Sequence, residues 1–184
     1  MTPRKHILFT SFGRWKTLIS DDGIRELSFP RGTPRSTSFA LKGKVPAGLK
    51  QLSGFLSRYF QAKPRKPARL RATLPGTPFQ KRVWEQITRI PFGSTLTYRA
   101  VARRLKMPRA ARAVGNACGA NPLPLLIPCH RVVAESGGLG GFSASLAWKK
   151  WLLSFEAAAG NKSVSHVHQQ QQDRRRIRRP ARAA

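Results

Sequence analysis

The sequence predicts an α/β (α+β) chain in which a small antiparallel sheet with helices precedes a mostly helical domain. Three observations lead there: extended apolar runs broken by an Asp-Gly turn in residues 6–29, helical spacing of apolar residues from about position 47, and a helix-start signature at Thr77. Strands place apolar residues at every second position and helices at every third or fourth, so the change of period marks the change of architecture.

The runs HILFTSF, WKTLIS and IRELSF read as strands, the last two joined at Asp21-Asp22-Gly23, where Asp-Gly is a strong hairpin signal. Residues 30–45, PRGTPRSTSFALKGKV, are dense in turn formers and read as a loop. Leu49, Leu52, Phe55, Leu56, Tyr59 and Phe60 then recur at helical spacing, which predicts an amphipathic helix over 47–61 packed on the sheet. AKPRKPARLRATLPG, with three prolines and five bases, reads as an exposed connector. The expected organisation is a first domain with its connector over 1–72, a second domain over 73–159 and a basic tail over 160–184.

Thr77-Pro78-Phe79-Gln80 combines a capping Thr, a Pro at the first helical position and a Gln three residues past the cap, which is a capping box. Phe79, Val83, Trp84, Ile87 and Ile90 make the buried stripe of that helix, and Pro91-Phe92-Gly93 stops it. Thr97 can cap a second helix, YRAVARRL; after KMPR comes a third, AARAVGNACGAN, ended by Pro122. Two short helices across a tight turn in a basic chain fit a helix-turn-helix, a pattern that ordinary packed helix pairs share. ESGGLGGFSAS reads as a loop, and LAWKKWLLSFEAAA as a last helix burying Leu146, Trp151, Leu152 and Phe155. The tail is low in complexity and basic, which predicts disorder with nonspecific contacts to nucleic acid.

The chain has 184 residues and a formal charge of +28, from 35 Lys and Arg against 7 Asp and Glu. The last 24 residues contribute +6 through Lys162 and six arginines against Asp173, which leaves +22 on residues 1–160. Charge of this kind in the folded body suits a polyanion, because neutralising phosphates releases condensed counterions. Nucleic acid is the expected partner. No apolar run approaches the roughly 20 residues that span a bilayer, and the start MTPRKHILFTSFGRW lacks a leader's long apolar core, so a cytoplasmic protein is expected.

Two cysteines, Cys118 and Cys129, are too few for a disulfide framework or a cysteine-rich zinc site. Cys118 lies in a helical pattern and reads as a small buried hydrophobe. Cys129 is followed directly by His130 in LLIPCHRVV. A free thiol with a pKa of about 8.5 is a weak nucleophile at neutral pH unless a base takes its proton, and an imidazole oriented by a carboxylate can do so. Of the three acids in the second domain, Glu85, Glu135 and Glu156, the one on the last helix, Glu156, is the candidate orienting group.

These residues carry a resemblance more specific than the general argument. From GTPFQKRVWEQITRIPFGSTLTYRAVARRL through ARAVGNACGANPLPLLIPCHRVV to GGFSASLAWKKWLLSFE, residues 76–156 closely resemble the O6-alkylguanine-DNA alkyltransferases. PCHRV with an upstream ARAVG and NP is highly specific. The resemblance implies a ribonuclease-H-like first domain and a winged helix-turn-helix-like second one. It also implies irreversible, single-turnover transfer of an alkyl group from O6-alkylguanine in duplex DNA to Cys129, with O4-methylthymine as a further candidate substrate. His130, bridged by water to Cys129 and held by Glu156, corresponds to the family's deprotonating relay. Tyr98 corresponds to the tyrosine that assists base rotation and protonates the departing base. Asn121 corresponds to the asparagine that braces the active-site turn. Arg112 corresponds to the arginine that fills the space of the flipped base, on a helix laid in the minor groove through Ala111, Arg112, Ala113 and Gly115. Val132, Phe142 and Ser143 fall at positions around the flipped base, and Arg131 anchors structure or phosphate.

Phe142 stands where many relatives have tyrosine, and Ala144-Ser145 replaces a common glycine pair, which predicts slower transfer from benzyl than from methyl adducts. The first domain lacks the cysteines that bind zinc in some relatives. The expected protein is a monomer without metal or cofactor. Alternatives at this point are a lesion-binding protein without repair, a helix-turn-helix regulator and a cysteine hydrolase.

Overall fold

The computed structural model describes residues 2–34, 40–43, 45, 49–63, 71–136, 138, 139, 142 and 145–160. Strands β1 (Arg4–Thr10), β2 (Gly13–Ser20) and β3 (Gly23–Ser28) form an antiparallel sheet in that order. Alternation sends Leu8, Trp15 and Leu27 to the inner face, and a register shift opposite Leu18 and Ile19 brings Ile24 to it as well, under helix α1 (Lys50–Phe60), whose Leu52, Phe55, Leu56, Tyr59 and Phe60 are buried.

Two expectations for this half need correction, and the loop over 30–45 gains a detail. The first strand ends at Thr10, not Phe12; Thr10 pairs with Gly13, so Ser11 and Phe12 form a tight turn that delivers Phe12 into the core. The loop over 30–45 is in part ordered against β1, with Ser11 donating its amide to Ala40 and Lys42 to Phe9, both at 2.9 Å. The connector is not wholly exposed linker. Ile24 N–H donates to Arg71 O at 3.0 Å and Thr73 N–H to Ile24 O at 3.1 Å, so residues 71–73 extend the sheet beyond β3. Gly23 has φ +129°, and a Cβ there would stand 2.3 Å from Arg71 O, so only glycine lets the two backbones meet.

Helix α2 (Pro78–Thr88) starts with the expected capping box, Gln80 N–H to Thr77 Oγ1 at 3.2 Å and Thr77 N–H to Gln80 Oε1 at 2.8 Å. Strand β4 (Leu96–Thr97) leads into α3 (Tyr98–Arg104), capped by Thr97, and α4 (Ala111–Gly119) follows. The single-turn 3₁₀ helix Cys129–Arg131 precedes β5 (Val132–Val133), which pairs in parallel with β4, a short ladder not foreseen from the sequence. The last helix, α5, spans residues 146–160.

Its buried face differs from expectation. Leu146 is 53% exposed, whereas Trp148, Lys149, Leu152 and Glu156 are buried and Trp151 and Phe155 half-buried. At 100° per residue, 148, 149, 152, 155 and 156 fall on one side, and 146 points about 120° away from its centre.

A single apolar core joins the two halves. Trp148 of α5 lies 5.8 Å from Trp15, 5.8 Å from Phe12 and 4.8 Å from Phe29, and its indole N–H donates to Pro30 O at 3.1 Å. Leu27 N–H also donates to Pro122 O at 2.9 Å. The sheet is thereby tied to the turn that precedes Cys129. Ser143, Ala144 and residues 161–184 of the basic tail, for which disorder was expected, lie outside the described residues, while residue 160 ends α5.

Candidate active site

Cys129 sits at the start of the 3₁₀ turn, held from below by the chain ahead of it. Asn121 Oδ1 accepts from Leu123 N at 3.0 Å while its Nδ2 donates to Ile127 O at 2.8 Å and to Cys129 Sγ at 3.0 Å. One amide thus fixes the turn and touches the sulfur. Leu125, within the braced segment, has φ +71°, a left-handed conformation strained for a branched side chain.

His130 is fully buried; its Nε2 lies 2.8 Å from Glu156 Oε1, and among the described residues no atom hydrogen-bonds to Nδ1. Glu156 is crowded with donors. Arg131 reaches it through Nε at 2.9 Å and Nη2 at 2.9 Å, Gly93 N–H at 3.0 Å, and the Tyr59 hydroxyl at 2.5 Å. Gly93, with φ +76°, has a left-handed backbone that suits glycine at this stop of α2. Arg131 also donates to Ile90 O at 2.7 Å and lies over Phe92, so its role in the fold is structural anchoring.

The electrostatics follow from burial. Burial raises the Glu156 pKa, but hydrogen bonds from His130 and Arg131, with their charges, outweigh it and bring it to about 2. Burial lowers the His130 pKa against the pull of Glu156, so the ring is neutral, with its proton on Nε2 facing the carboxylate. That leaves Nδ1 as an acceptor without a hydrogen-bond partner among the described residues, on the residue that follows Cys129. Burial pushes the Cys129 thiol up to about 11, although the Asn121 N–H and the Lys149 charge act to lower it. Tyr98 is pushed up to about 12, first by burial and then by the two thiols, so it remains a phenol with a proton to give.

Tyr98 begins α3, with α4 behind its ring: a Cβ on Gly115 would touch it at 3.9 Å. Arg112 and Ala113 are exposed on α4 and Ala111 is half-buried. Val132 is buried directly after the turn, and its carbonyl accepts from Lys149 Nζ at 2.6 Å. Phe142 packs 5.8 Å from Phe29 of the first domain. Ser145, expected to crowd the loop, accepts from Trp148 N–H at 3.2 Å and so caps α5. Two groups escaped the sequence reading. Periodicity places Tyr59 only in the core, and nothing local marks Lys149, fully buried with Nζ 3.5 Å from the Tyr98 hydroxyl.

Residues 78–158 match the family described as 6-O-methylguanine DNA methyltransferase, DNA binding domain. A protein of Acanthamoeba polyphaga mimivirus named a probable methylated-DNA–protein-cysteine methyltransferase is 46% identical over 121 residues, 66% of this chain and 80% of that one. The chain belongs to the methylated-DNA–protein-cysteine methyltransferase family. A family member from Methanosarcina barkeri is 36% identical over 137 residues, 74% of this chain and 86% of its own. The crystal structure of the Mycobacterium tuberculosis family protein in complex with DNA superposes with a TM-score of 0.70 at 30% identity, covering 86% of this chain and 94% of that one. Among the described residues no helix is long and apolar enough to cross a membrane.

The thiol's environment gives a direct expectation for the free protein. With a pKa of about 11, roughly one Cys129 in three thousand is ionised at pH 7.5. Iodoacetamide alkylation of Cys129, followed by peptide mass spectrometry, should therefore reach half its maximal rate near pH 11. A midpoint near 8.5 would show that burial does not control the thiol.

Proposed function

We propose that this protein repairs DNA by direct reversal, moving the methyl group of an O6-methylguanine in duplex DNA onto Cys129 in a single, irreversible turnover. The observation that carries the reading is the unpaired Nδ1 of a neutral, buried His130 next to a cysteine whose sulfur is oriented by Asn121. A hydrolase could use the same pair, but membership of the methyltransferase family favours alkyl acceptance.

In this mechanism α4 enters the minor groove with Arg112 exposed and Ala111, Ala113 and Gly115 small enough for close approach. No acid lies in its first turn, so the positive helix end faces phosphate without a competing charge. The alkylated base leaves the stack, because in-line attack on its alkyl carbon is impossible while it is stacked. Sγ forms the S–C bond as the C–O6 bond breaks. The thiol proton passes through water to His130 Nδ1, and Tyr98 gives a proton to the departing guanine. Glu156 keeps its charge throughout and orients the ring. Val132 and Phe142 border the base. An acceptor thiol that must stay reduced fits a cytoplasmic location, in reach of DNA.

Intact-protein and peptide mass spectrometry after mixing with excess duplex carrying one O6-methylguanine tests this. One methyl per molecule on Cys129, with guanine restored, supports the reading; binding without mass gain refutes it.

Tyr59 enters the same relay from the first domain. Its phenolic proton goes to Glu156 Oε1, since burial and the adjacent carboxylate keep it far from ionising. Tyr59→Phe leaves Oε1 less compensated, so imidazolium forms more easily at His130. The acid limb of the single-turnover rate against pH should move up by about one unit. An unshifted profile would reduce Tyr59 to packing.

A further inference from the structure

The sheet has a second face that the mechanism does not use. On its outer side β1 presents Lys5, Ile7 and Phe9, and β2 presents Arg14, Lys16 and Leu18. A half-solvated antiparallel sheet ordinarily turns polar residues outward. Here Phe9 is 49% exposed, Ile7 42% and, on the segment bridged to β1, Leu41 39%. Each outward apolar residue of β1 is paired across the ladder with a cation, Phe9 with Arg14 and Ile7 with Lys16. Among the described residues none of Lys5, Arg14, Lys16 or Lys42 is within ion-pair distance of a carboxylate. The inner face, with Trp15, packs toward α5, so the sheet separates this surface from Cys129.

We propose that the outer face of β1 and β2 is a second nucleic-acid surface that holds an unpaired strand, a base stacked on Phe9, its neighbour packed on Ile7 and phosphates neutralised by Lys5, Arg14 and Lys16. Charge selects this occupant. A second copy of a chain carrying +28, or the chain's own tail carrying +6, would be repelled by unpaired cations. The exposed ring selects among polyanions, since stacking needs a free base face and a duplex hides its own. A protein with this surface can hold a single-stranded segment while α4 engages a duplex.

The test uses the full chain and an oligothymidine carrying iodouracil, photo-crosslinked with and without a saturating excess of unlabelled duplex. The expected crosslink maps to the peptide containing Phe9 and survives the duplex. Phe9→Ser combined with Lys16→Gln should weaken oligothymidine binding about tenfold, with the single-turnover rate of methyl transfer from duplex unchanged. Crosslinks confined to residues 98–119, or abolished by duplex, would overturn the proposal. So would Phe9-dependent binding to phosphatidylserine vesicles without binding to oligothymidine. Loss of methyl transfer in the unsubstituted chain would count against the repair reading and leave this surface untouched.

Discussion

Cys129→Ser is expected to abolish methyl acceptance completely while retaining the fold and lesion binding. Serine keeps an acceptor for the second N–H of Asn121, which otherwise bonds only Ile127 O, so the turn stays braced. Alanine would leave that buried N–H unpaired at a cost of about 1–3 kcal/mol, so it is the poorer control. A hydroxyl in this site has no route to ionise, because burial already holds the more acidic thiol at about 11. The measurement is mass gain per molecule beside the affinity for O6-methylguanine duplex. Residual methylation in the serine variant would place the acceptor elsewhere, with Cys118 the first residue to map. Burial pushes the Cys118 thiol up to about 12, which argues against it.

Glu156→Ala is expected to cost the fold about as much as any single change, because it strips the counter-charge from a buried arginine. Arg131 and Glu156 are both nearly inaccessible, and removing one partner of such a pair costs about 3–5 kcal/mol. The pKa gives a similar figure. A carboxyl near 4.5 when unfolded and about 2 when folded corresponds to roughly 3 kcal/mol.

The sign follows from the depressed value: stability is present above the unfolded pKa and is lost as pH falls from about 4.5 toward 2. His130, also depressed, adds a loss that begins as pH drops below its ordinary 6.5. Urea unfolding between pH 7 and 3 should show both phases, and Glu156→Ala should remove the lower one. In a double-mutant cycle, adding Arg131→Met should recover part of the loss, since an apolar chain replaces an unpaired charge. Strict additivity would show that the pair is not coupled.

The reactive core was legible in the chain for local reasons. Cys129 and His130 are neighbours, Asn121 is eight residues upstream, and with so few acids in the second domain Glu156 was the available orienter on a helix. Hairpin signals, the capping box and helical periodicity likewise report on backbone within a few residues, and the elements they mark are present. Tyr59 was legible only as an apolar position: spacing shows that it is buried, but not that its hydroxyl meets a carboxylate 97 residues later. Lys149 was hidden because a lysine in a KK pair ordinarily faces solvent, and only the angular position of Trp148, Leu152 and Glu156 turns it inward.

By itself the sequence marked the candidate side chains of the site, the three strands of the first sheet, the helices in their order, and a charge suited to polyanions, because these depend on residue type and short-range spacing. The tertiary structure decided the protonation states and the union of the domains. The thiol's raised pKa, the neutral imidazole and the crowding of Glu156 by donors from three segments are products of burial and long-range contact. Desolvation is set by what the rest of the chain packs around a group.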